Sequence, residues 1–239
     1  MALIKTPDEI KIMKRAAKAT EKVFASVLPF ILQGATEREI AGRMEDLALK
    51  IKGVSALAFP PIVASGPNGF EPHAEITDRL IISGDLVTVD FGVTIDGYMS
   101  DMTRTFIIGK LTAKQSRIYD SVKRAQAAGI KAAKAGMPCA ALDAITRGII
   151  RKDGFEEYFI HTTGHGIGTE IHEDPRIGEH SEAVLEAGMV VTIEPGIYIE
   201  GLGGVRIEDT IVITETGCEV ITPNIPKNRI DIKRLMFLL

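Results

Sequence analysis

The sequence predicts an α+β fold of two similar halves, in which helices lie against a sheet. The first observation is that helices are predicted in two pairs. The first pair begins at residue 7 and the second at residue 113, 106 residues later. Segments rich in β-forming residues follow each helix pair. Acidic residues recur at these segments with nearly the same offset. A duplicated architecture accounts for all three observations.

The composition is typical of a globular protein and excludes disordered, collagen-like and coiled-coil chains. Of the 239 residues, 45% are hydrophobic and 25% are charged, with 23 glycines and 11 prolines. The net charge is −4 and no segment is strongly basic, so we expect no nucleic-acid partner. The apolar ending at 235–239 is too short to cross a bilayer, and charges interrupt the first twenty residues. We therefore expect a cytoplasmic protein without a membrane partner.

The first half is predicted to open with two helices. Thr6 and Glu9 form a capping box around Pro7, and a second capping box begins at Thr36. Apolar residues then recur at helical spacing in both segments. The predicted elements are helices from Pro7 to just before Pro29 and from Glu37 to Gly53, a Pro- and Gly-rich stretch at 60–72, and strands at 85–91 and 98–108.

The second half repeats that order of helices followed by strands. Its first helix is long and its second begins at a proline, which suits the start of a helix. The predicted elements are helices at about 113–135 and from Pro138 to about Gly154, followed by strands at Tyr158–His161, Met189–Glu194, Tyr198–Glu200 and Val205–Ile213.

Two aspartates of the first half lie on one predicted hairpin. Asp96-Gly97 is a preferred dipeptide for a two-residue type I′ turn, and this turn makes the numbers of paired residues sum to 193. Asp101 then lies opposite Gly92, and Asp90 is two residues along the same strand, so both carboxylates point to one face. Such carboxylates repel unless a cation lies between them. The hairpin predicts a metal site, with a solvated acidic face as the alternative.

Two glutamates of the second half follow the aspartates by 104 and 107 residues. Glu194 ends an apolar run, and Glu208 lies in the following β-rich segment. A four-residue turn at 201–204 would place the two carboxylates on opposite faces. Their convergence therefore requires a bulge near Pro195 or a turn of odd length.

Three of the five histidines fall within twelve residues, at positions 161, 165 and 172, in a glycine-rich segment. A single histidine is more often structural, but three histidines in a chain with two acidic pairs favour a ligand site. Four carboxylates and one imidazole form a hard, oxygen-rich set that can hold two divalent ions. Mn²⁺, Co²⁺, Fe²⁺ and Zn²⁺ suit this set, and the absence of cysteine from it disfavours softer metals.

The ordered residues resemble the five-ligand dinuclear site of the pita-bread metallopeptidases, the M24 family. The matching residues are Asp90, Asp101, His165, Glu194 and Glu208. The family includes methionine aminopeptidase, aminopeptidase P and Xaa-Pro dipeptidase (prolidase). The resemblance implies a pita-bread fold, with two pseudo-symmetric halves whose helices back a curved, mostly antiparallel sheet. It also implies that residues 1–239 form a single catalytic domain.

Three features resemble the proline-peptidase branch of that family. They are Pro72-His73-Ala74, the position of His161 four residues before His165, and the 14 residues that separate Glu194 from Glu208. The resemblance implies hydrolysis of Xaa-Pro bonds at the N-terminus of peptides or in dipeptides. Prolidases and aminopeptidases P usually carry an additional N-terminal domain of creatinase-like fold, which we do not expect here. The choice between dipeptides and longer peptides, and the formation of a homodimer, therefore stay open.

The resemblance also implies the metal ligation. Asp101 and Glu208 would bridge two divalent ions, with manganese expected first and cobalt, iron or zinc as alternatives. Asp90 would bind one ion, while His165 and Glu194 would bind the other.

The catalytic roles follow from the same resemblance. Glu194 is then the candidate general base, and His172 would stabilise the developing oxyanion. His73 and His161 would flank the substrate. Arg206 would hold a bridging glutamate or a carboxylate of the substrate, and a structural role is the alternative for it.

Two other functions compete with an Xaa-Pro peptidase. Methionine aminopeptidase belongs to the same class and differs in substrate. A non-catalytic module of the same fold would bind peptides, histones or RNA, but such modules typically lack several of the five ligands. Creatine amidinohydrolase shares the fold without needing a metal, and it lacks this set of acids.

Overall fold

Four α-helices form in the computed structural model, which describes residues 3–31 and 34–227. They are α1 (Pro7–Val27), α2 (Glu37–Ala48), α3 (Ala113–Ala132) and α4 (Cys139–Lys152). Both predicted capping boxes form, since Thr6 and Thr36 each exchange two hydrogen bonds with the glutamate three residues later. The second helix ends at Ala48, earlier than predicted. The apolar ending at 235–239 lies outside the described residues.

Thirteen strands lie in the described part of the chain, and all their pairings are antiparallel. They form four sheets, with the orders β1-β4-β5, β2-β3-β6, β10-β11 and β13-β12-β9-β7-β8. This mixture of helices and antiparallel strands confirms the predicted α+β class. The strands are β1 (Val54–Leu57), β2 (Ile62–Ser65), β3 (Leu86–Phe91), β4 (Val93–Ile95), β5 (Tyr98–Met99), β6 (Met102–Ile107), β7 (Gly164–Gly166), β8 (Glu173–Ile177), β9 (Val190–Ile193), β10 (Gly196–Ile199), β11 (Gly203–Arg206), β12 (Asp209–Ile213) and β13 (Cys218–Val220).

The predicted hairpin forms in the predicted register. Ile95 pairs with Tyr98 across the turn, and Asp90 pairs with Thr103 further along, so both pairs sum to 193. Asp96 has a φ of 49° and the glycine after it a φ of 83°, as a type I′ turn requires. The predicted continuous strand at 98–108 is instead divided into β5 and β6.

The hairpin of β10 and β11 has the turn of odd length that the convergence of Glu194 and Glu208 requires. Ile199 pairs with Gly203, so the loop between β10 and β11 contains three residues. Ile193 of β9 pairs with Asp209 of β12, and both pairs sum to 402. The same register sets Glu194 opposite Glu208, so their carboxylates can converge.

The predicted strand at Tyr158–His161 is wrong. Residues Glu156–Tyr158 form a short 3-10 helix, and residues 159–163, between this helix and β7, form no strand. Arg147 of α4 donates hydrogen bonds of 2.9 Å to the carbonyls of Phe159 and His161. This side chain occupies the backbone acceptors that a neighbouring strand would need.

Five strands of the structure lie in segments for which no strand was predicted. In the first half, β1 and β2 flank the prolines of the loop at 58–61. In the second half, β7 and β8 lie in the glycine- and histidine-rich segment, and β13 follows the last predicted strand. All five are short, so their own side-chain patterns carry little signal.

Hydrophobic cores join the helices to the sheets. Phe24 of α1 packs edge to face on Phe91 of β3, with ring centroids 6.4 Å apart. In the second half, Ile118 of α3 shares a buried cluster with Ile197 of β10 and Val205 of β11. Helices thus lie against sheets in both halves of the chain, which leaves other sheet residues free to form a site.

Candidate metal centre

Each of the five residues predicted to bind metal lies in a strand or directly beside one. Asp90 is the last but one residue of β3, and Asp101 precedes β6. His165 is the middle residue of β7, and Glu194 follows β9. Glu208 lies between β11 and β12. The backbone hydrogen bonds of these strands therefore hold the Cα positions of the five residues.

The structure brings these side chains together. One ligand atom each from Asp101, His165 and Glu208 lies within 4.8 Å of the others. Nε2 of His165 is 3.1 Å from Oε1 of Glu194 and 3.7 Å from Oδ2 of Asp101. Asp90 lines the same cavity as Asp101 and Glu194. The four carboxylates and the imidazole thus form one cluster.

Three buried carboxylate oxygens of this cluster have no hydrogen-bond partner among the described residues. They are Oδ1 of Asp90, Oδ1 of Asp101 and Oε1 of Glu208. Buried anionic oxygens are normally paired or bound to metal, because desolvation otherwise penalises them. The cluster therefore fits divalent cations, which supply the missing partner for oxygen ligands.

Electrostatics lead to the same conclusion. Burial, together with the charges of Glu208 and Asp90, raises the pKa of Asp101 well above its usual value. Burial and the charges of Glu194 and Asp90 raise the pKa of Glu208 in the same direction. Ionisation of these carboxylates is therefore unfavourable, because each is buried and repelled by the neighbouring negative charges. A cation among them would offset that repulsion.

His165 presents one ring nitrogen to the carboxylates. Its Nδ1 lies 2.9 Å from the carbonyl of Gly166, so this nitrogen carries the proton and donates it. Burial lowers the pKa of His165, but the hydrogen bond and charge of Glu194 outweigh it and raise the pKa. Nε2 is therefore the atom that would bind a metal ion once its proton is lost.

Threonine hydroxyls orient the two glutamates. Thr192 donates a hydrogen bond of 3.0 Å to Oε1 of Glu194, and Thr103 donates one of 2.7 Å to Oε2 of Glu208. Burial favours a higher pKa for Glu194, but the hydrogen bond and charge of His165 outweigh it and lower that pKa to about 2. Glu194 is therefore an anion at neutral pH in this arrangement.

A cavity of about 850 Å³ opens onto the cluster. One wall is apolar and includes Phe59, Pro60 and Ile62. His73 and His172 line other walls and are exposed, so both reach a ligand in the cavity. All three histidines predicted to act on the substrate thus line the cavity, and two of them are exposed.

The loop with His172 is tied to the start of the chain. Glu173 follows that histidine and forms a buried ion pair with Lys5, with Nζ and Oε2 2.7 Å apart. The same carboxylate accepts a hydrogen bond of 2.8 Å from the backbone N–H of Thr169. These contacts fix the backbone on both sides of His172.

His161 also lines the cavity, but both of its ring nitrogens are engaged within the protein. Nδ1 lies 2.8 Å from the carbonyl of Thr162 and therefore donates, so Nε2 accepts from the hydroxyl of Tyr198 at 2.9 Å. Burial lowers the pKa of His161 to about 4. The histidine is therefore neutral, and its Nε2 is occupied by the hydroxyl of Tyr198.

Arg206 contacts Asp90 instead of the expected glutamate. Its Nη2 donates to Oδ2 of Asp90 at 2.8 Å, and its Nη1 donates to the hydroxyl of Tyr198 at 2.7 Å. Nε donates to Thr103, the residue whose hydroxyl binds Glu208. The expectation of a direct contact to Glu208 is wrong, because Thr103 lies between the two side chains. Burial also keeps this guanidinium away from solvent.

Sequence reasoning missed four residues of the site. Thr103 and Thr192 lie two residues along the chain from Asp101 and Glu194, and strand alternation could have identified them. Arg176 of β8 is exposed and lines the cavity, but no motif distinguished it. Tyr198 was assigned only to a strand, since nothing in its neighbours indicates its two polar contacts.

Comparison with known families agrees with this geometry. Residues 11–215 match the family described as metallopeptidase family M24. The fold and the site define a metallopeptidase, and the chain belongs to metallopeptidase family M24. The predicted family resemblance is thereby confirmed.

Curated relatives share nearly half of the residues. The chain is 46% identical over 222 residues to the Xaa-Pro dipeptidase of Pyrococcus furiosus, covering 93% of this chain and 64% of the relative. It is 45% identical over 223 residues to the Xaa-Pro dipeptidase of Lactobacillus helveticus, covering 93% of this chain and 60% of the relative. The chain thus spans less than two thirds of the length of these relatives.

Solved structures of similar proteins have the same fold. An Xaa-Pro dipeptidase from Bacillus anthracis superposes with a TM-score of 0.93 at 47% identity, covering 96% of this chain and 64% of that one. An X-Pro aminopeptidase from Thermotoga maritima superposes with a TM-score of 0.91 at 38% identity, with the same coverage of 96% and 64%. Among the described residues, no helix is both long and apolar enough to traverse a bilayer.

Proposed function

We propose that this chain hydrolyses Xaa-Pro bonds with the help of two divalent metal ions, manganese first among them. The observation that carries the proposal is the buried cluster of Asp101, His165 and Glu208 at the base of a cavity with an apolar wall. The Pyrococcus furiosus relative is an Xaa-Pro dipeptidase, which supports this substrate class over the methionine aminopeptidase alternative.

The cavity fits a short peptide with proline after the scissile bond. The prolyl ring is apolar and rigid, and it matches the wall that contains Phe59, Pro60 and Ile62. Arg176 supplies an exposed positive charge at the same cavity. A free carboxylate directly after proline would pair with this guanidinium, which favours dipeptides.

The proposed ligand roles follow the resemblance. Asp101 and Glu208 would bridge the two ions, Asp90 would bind one, and His165 and Glu194 would bind the other. Such ions supply Lewis acidity, which polarises a peptide carbonyl and acidifies water. The protein fixes the positions of the ligands through the strand ends that carry them.

Glu194 is the proposed general base. It lines the cavity with a side-chain exposure of 16%, and it is ionised at neutral pH, so it carries no proton of its own before the reaction. The hydroxyl of Thr192 holds Oε1, so the second oxygen is the one that can take the proton and pass it to the leaving nitrogen. That transfer matters for proline, because its tertiary amide nitrogen must be protonated before it departs.

His172 is the proposed donor to the carbonyl oxygen of the scissile bond. Burial and the neighbouring charge of His165 lower the pKa of His172, so its ring is neutral at pH 7 and retains one N–H. The ring centroid lies 4.5 Å from that of His165, next to the ligand cluster. His73 would contact the substrate from the cavity lining, while His161 and Arg206 act by orienting Tyr198 and Asp90.

A cleavage assay with metal control tests the proposal. The chelated protein should not cleave Ala-Pro, and added Mn²⁺ should restore cleavage. Glu194→Gln should lower kcat by about 10²–10⁴-fold, the typical contribution of a general base. His180→Ala is the control, because His180 is exposed and is not among the residues that line the cavity. Full activity after exhaustive chelation, with metal content verified by elemental analysis, would contradict the proposal.

Substrate comparison separates the alternatives. Ala-Pro should be cleaved faster than Ala-Pro-Ala if the free carboxylate is recognised, and the reverse order would indicate an aminopeptidase P. Cleavage of Met-Ala-Ser in preference to both would indicate methionine aminopeptidase. A cytoplasmic location and a homodimer stay predictions, which fractionation and sedimentation of the full protein can test.

A further inference from the structure

A buried carboxylate contacts the loop that carries His73. This loop, residues 66–77, follows β2, begins with a 3-10 helix at Gly66–Phe70, and lines the cavity with residues 72–76. Glu37 occupies the first position of α2 and is 0% exposed. It belongs neither to the metal cluster nor to the capping box, whose glutamate is Glu39. Its burial therefore needs another explanation.

Glu37 binds both ends of that loop. Oε1 accepts hydrogen bonds from the backbone N–H and the hydroxyl of Ser65, each at 2.7 Å. Oε2 accepts from the amide of Asn68 at 2.9 Å, and from the backbone N–H and hydroxyl of Thr77 at 3.0 and 2.6 Å. Five donors thus converge on one carboxylate, and they come from the residue just before the loop, from within it and from its last residue.

These bonds depend on the two acceptor oxygens of a carboxylate. An ionised acceptor forms stronger hydrogen bonds than a neutral one, and the first turn of a helix favours negative charge. A glutamine at this position would turn an N–H₂ group toward N–H and O–H donors of Ser65 or Thr77. The hydroxyls can rotate away, but the backbone N–H groups cannot.

The middle of the loop has its own anchor. Nη1 of Arg206 donates a hydrogen bond of 3.1 Å to the carbonyl of Pro72, next to His73. The exposed histidine therefore lies on a segment held by Glu37 at its ends and by Arg206 near its centre. Other contacts hold its ends as well: the backbone N–H of Arg38 donates to the carbonyl of Thr77 at 3.2 Å, and Ser65 pairs with β3.

We propose that Glu37 is a positioning residue for substrate binding. Its carboxylate closes the loop 66–77 and thereby holds His73 and Ile76 at the cavity, where both are part of the lining. Glu37 touches neither the substrate nor a metal ligand. This inference rests on the proposed function for its effect on KM, whereas its effect on the loop can be measured without substrate.

Hydrogen exchange of the full metal-free chain tests the loop directly. In Glu37→Gln, the backbone amides of Ser65 and Thr77 should exchange at least about tenfold faster than in the wild type, because each loses an anionic acceptor. Glu39→Gln is the matched control: it removes a carboxylate from the same helical turn, where Glu39 accepts a hydrogen bond from the backbone N–H of Thr36. Its loop amides should exchange at the wild-type rate.

Kinetics and metal binding test the positioning role. With Ala-Pro as substrate, Glu37→Gln should raise KM about tenfold and change kcat by less than about threefold, whereas Glu39→Gln should change neither. Calorimetric titration with Mn²⁺ should give the wild-type affinity for both variants. Equal exchange rates in the two variants, or weakened Mn²⁺ binding in Glu37→Gln, would overturn the proposal.

A milder substitution covers the case in which Glu37→Gln does not fold. Thr77→Val removes one hydroxyl donor and keeps the carboxylate, so it should raise the exchange rate and KM in the same direction but less. Wild-type exchange and wild-type KM in Thr77→Val would overturn the proposal. If the wild-type chain cleaves no Xaa-Pro peptide, the proposed function fails, while the exchange rates still decide whether Glu37 holds the loop.

Discussion

Arg206 donates a hydrogen bond of 2.8 Å from Nη2 to Oδ2 of Asp90, across 116 residues of sequence. The guanidinium belongs to the end of β11 and the carboxylate to β3, so the pair joins the last part of the chain to the first. The other oxygen of Asp90 has no hydrogen-bond partner among the described residues. One oxygen of Asp90 thus binds the guanidinium of Arg206, while the other is left for the cluster of proposed metal ligands.

Loss of this pair should destabilise the metal-free protein. Arg206→Met leaves Asp90 as a buried carboxylate without its cation, a change that typically costs about 3–5 kcal/mol in the free energy of unfolding. Urea denaturation measures the effect. Arg15→Met is the control, because its ion pair with Asp96 is exposed and should contribute at most about 1 kcal/mol. Equal stability of the two variants would contradict the importance of the buried pair.

The strand that carries His165 leaves no room for a side chain at Gly164. A Cβ there would lie 2.0 Å from the carbonyl oxygen of Thr192 on β9. Gly164→Ala should therefore lower the free energy of unfolding by about 1–3 kcal/mol and weaken Mn²⁺ binding, because the neighbouring imidazole moves. Thermal melts and calorimetric titration measure both effects.

Gly42 is the matched control for this substitution. It lies in α2, and a Cβ there meets nothing within 4 Å. Gly42→Ala should stabilise the protein by about 0.5–1 kcal/mol through helix propensity, without changing metal affinity. If both variants behave alike, the close approach of β7 and β9 does not constrain the site.

The contact between Tyr98 and Glu9 should make the free energy of unfolding depend on pH in the acidic range. The tyrosine hydroxyl donates a hydrogen bond of 2.6 Å to Oε1 of Glu9 and, with the bonds from Thr6, lowers the pKa of Glu9 from 4.5 to about 2. The unfolded chain binds a proton first as the pH falls. This stabilisation is therefore complete above pH 4.5 and is lost as the pH falls through about 2.

Removal of the tyrosine hydroxyl tests this dependence. In Tyr98→Phe, the free energy of unfolding should change less steeply between pH 4.5 and pH 2 than in the wild type. Urea titrations at several pH values in that window give the slope. In the Glu9→Gln background, the same substitution should leave the slope unchanged. A persistent difference there would show that another group carries the effect.

Arg176 should discriminate between a free carboxylate and its amide. Arg176→Met should raise KM for Ala-Pro by about 10–100-fold, as expected for a lost hydrogen bond between charged groups. With Ala-Pro-amide, the variant and the wild type should have similar KM values. Steady-state kinetics with the two substrates measure this, and an equal rise in KM for both would exclude carboxylate recognition by Arg176.

Much of the first hairpin could be predicted because its signal is local. The Asp96-Gly97 dipeptide fixes a turn that only a few conformations satisfy, and alternation along the strands then determines the register. The two capping boxes are local in the same sense. The shared face of the acidic residues follows from these short-range rules.

Other contacts of the site could not be predicted in this way. The donors that bury Glu37 come from a loop about thirty to forty residues away, and its helical position resembles that of any acidic residue in a first turn. The strand expected at Tyr158–His161 failed for a similar reason. Its backbone acceptors bind Arg147, which lies on a different element.

By itself, the sequence determined the helices, the turn between the first strands, the family and the residues proposed to bind metal. These features depend on propensities and spacings within a few residues, or on an ordered set of ligand types. Only the tertiary structure decided that Arg206 holds Asp90, that Tyr198 engages His161, and that Glu37 closes the cavity wall. The physical reason is that a polar side chain has several possible partners, and packing of distant elements selects which one it meets.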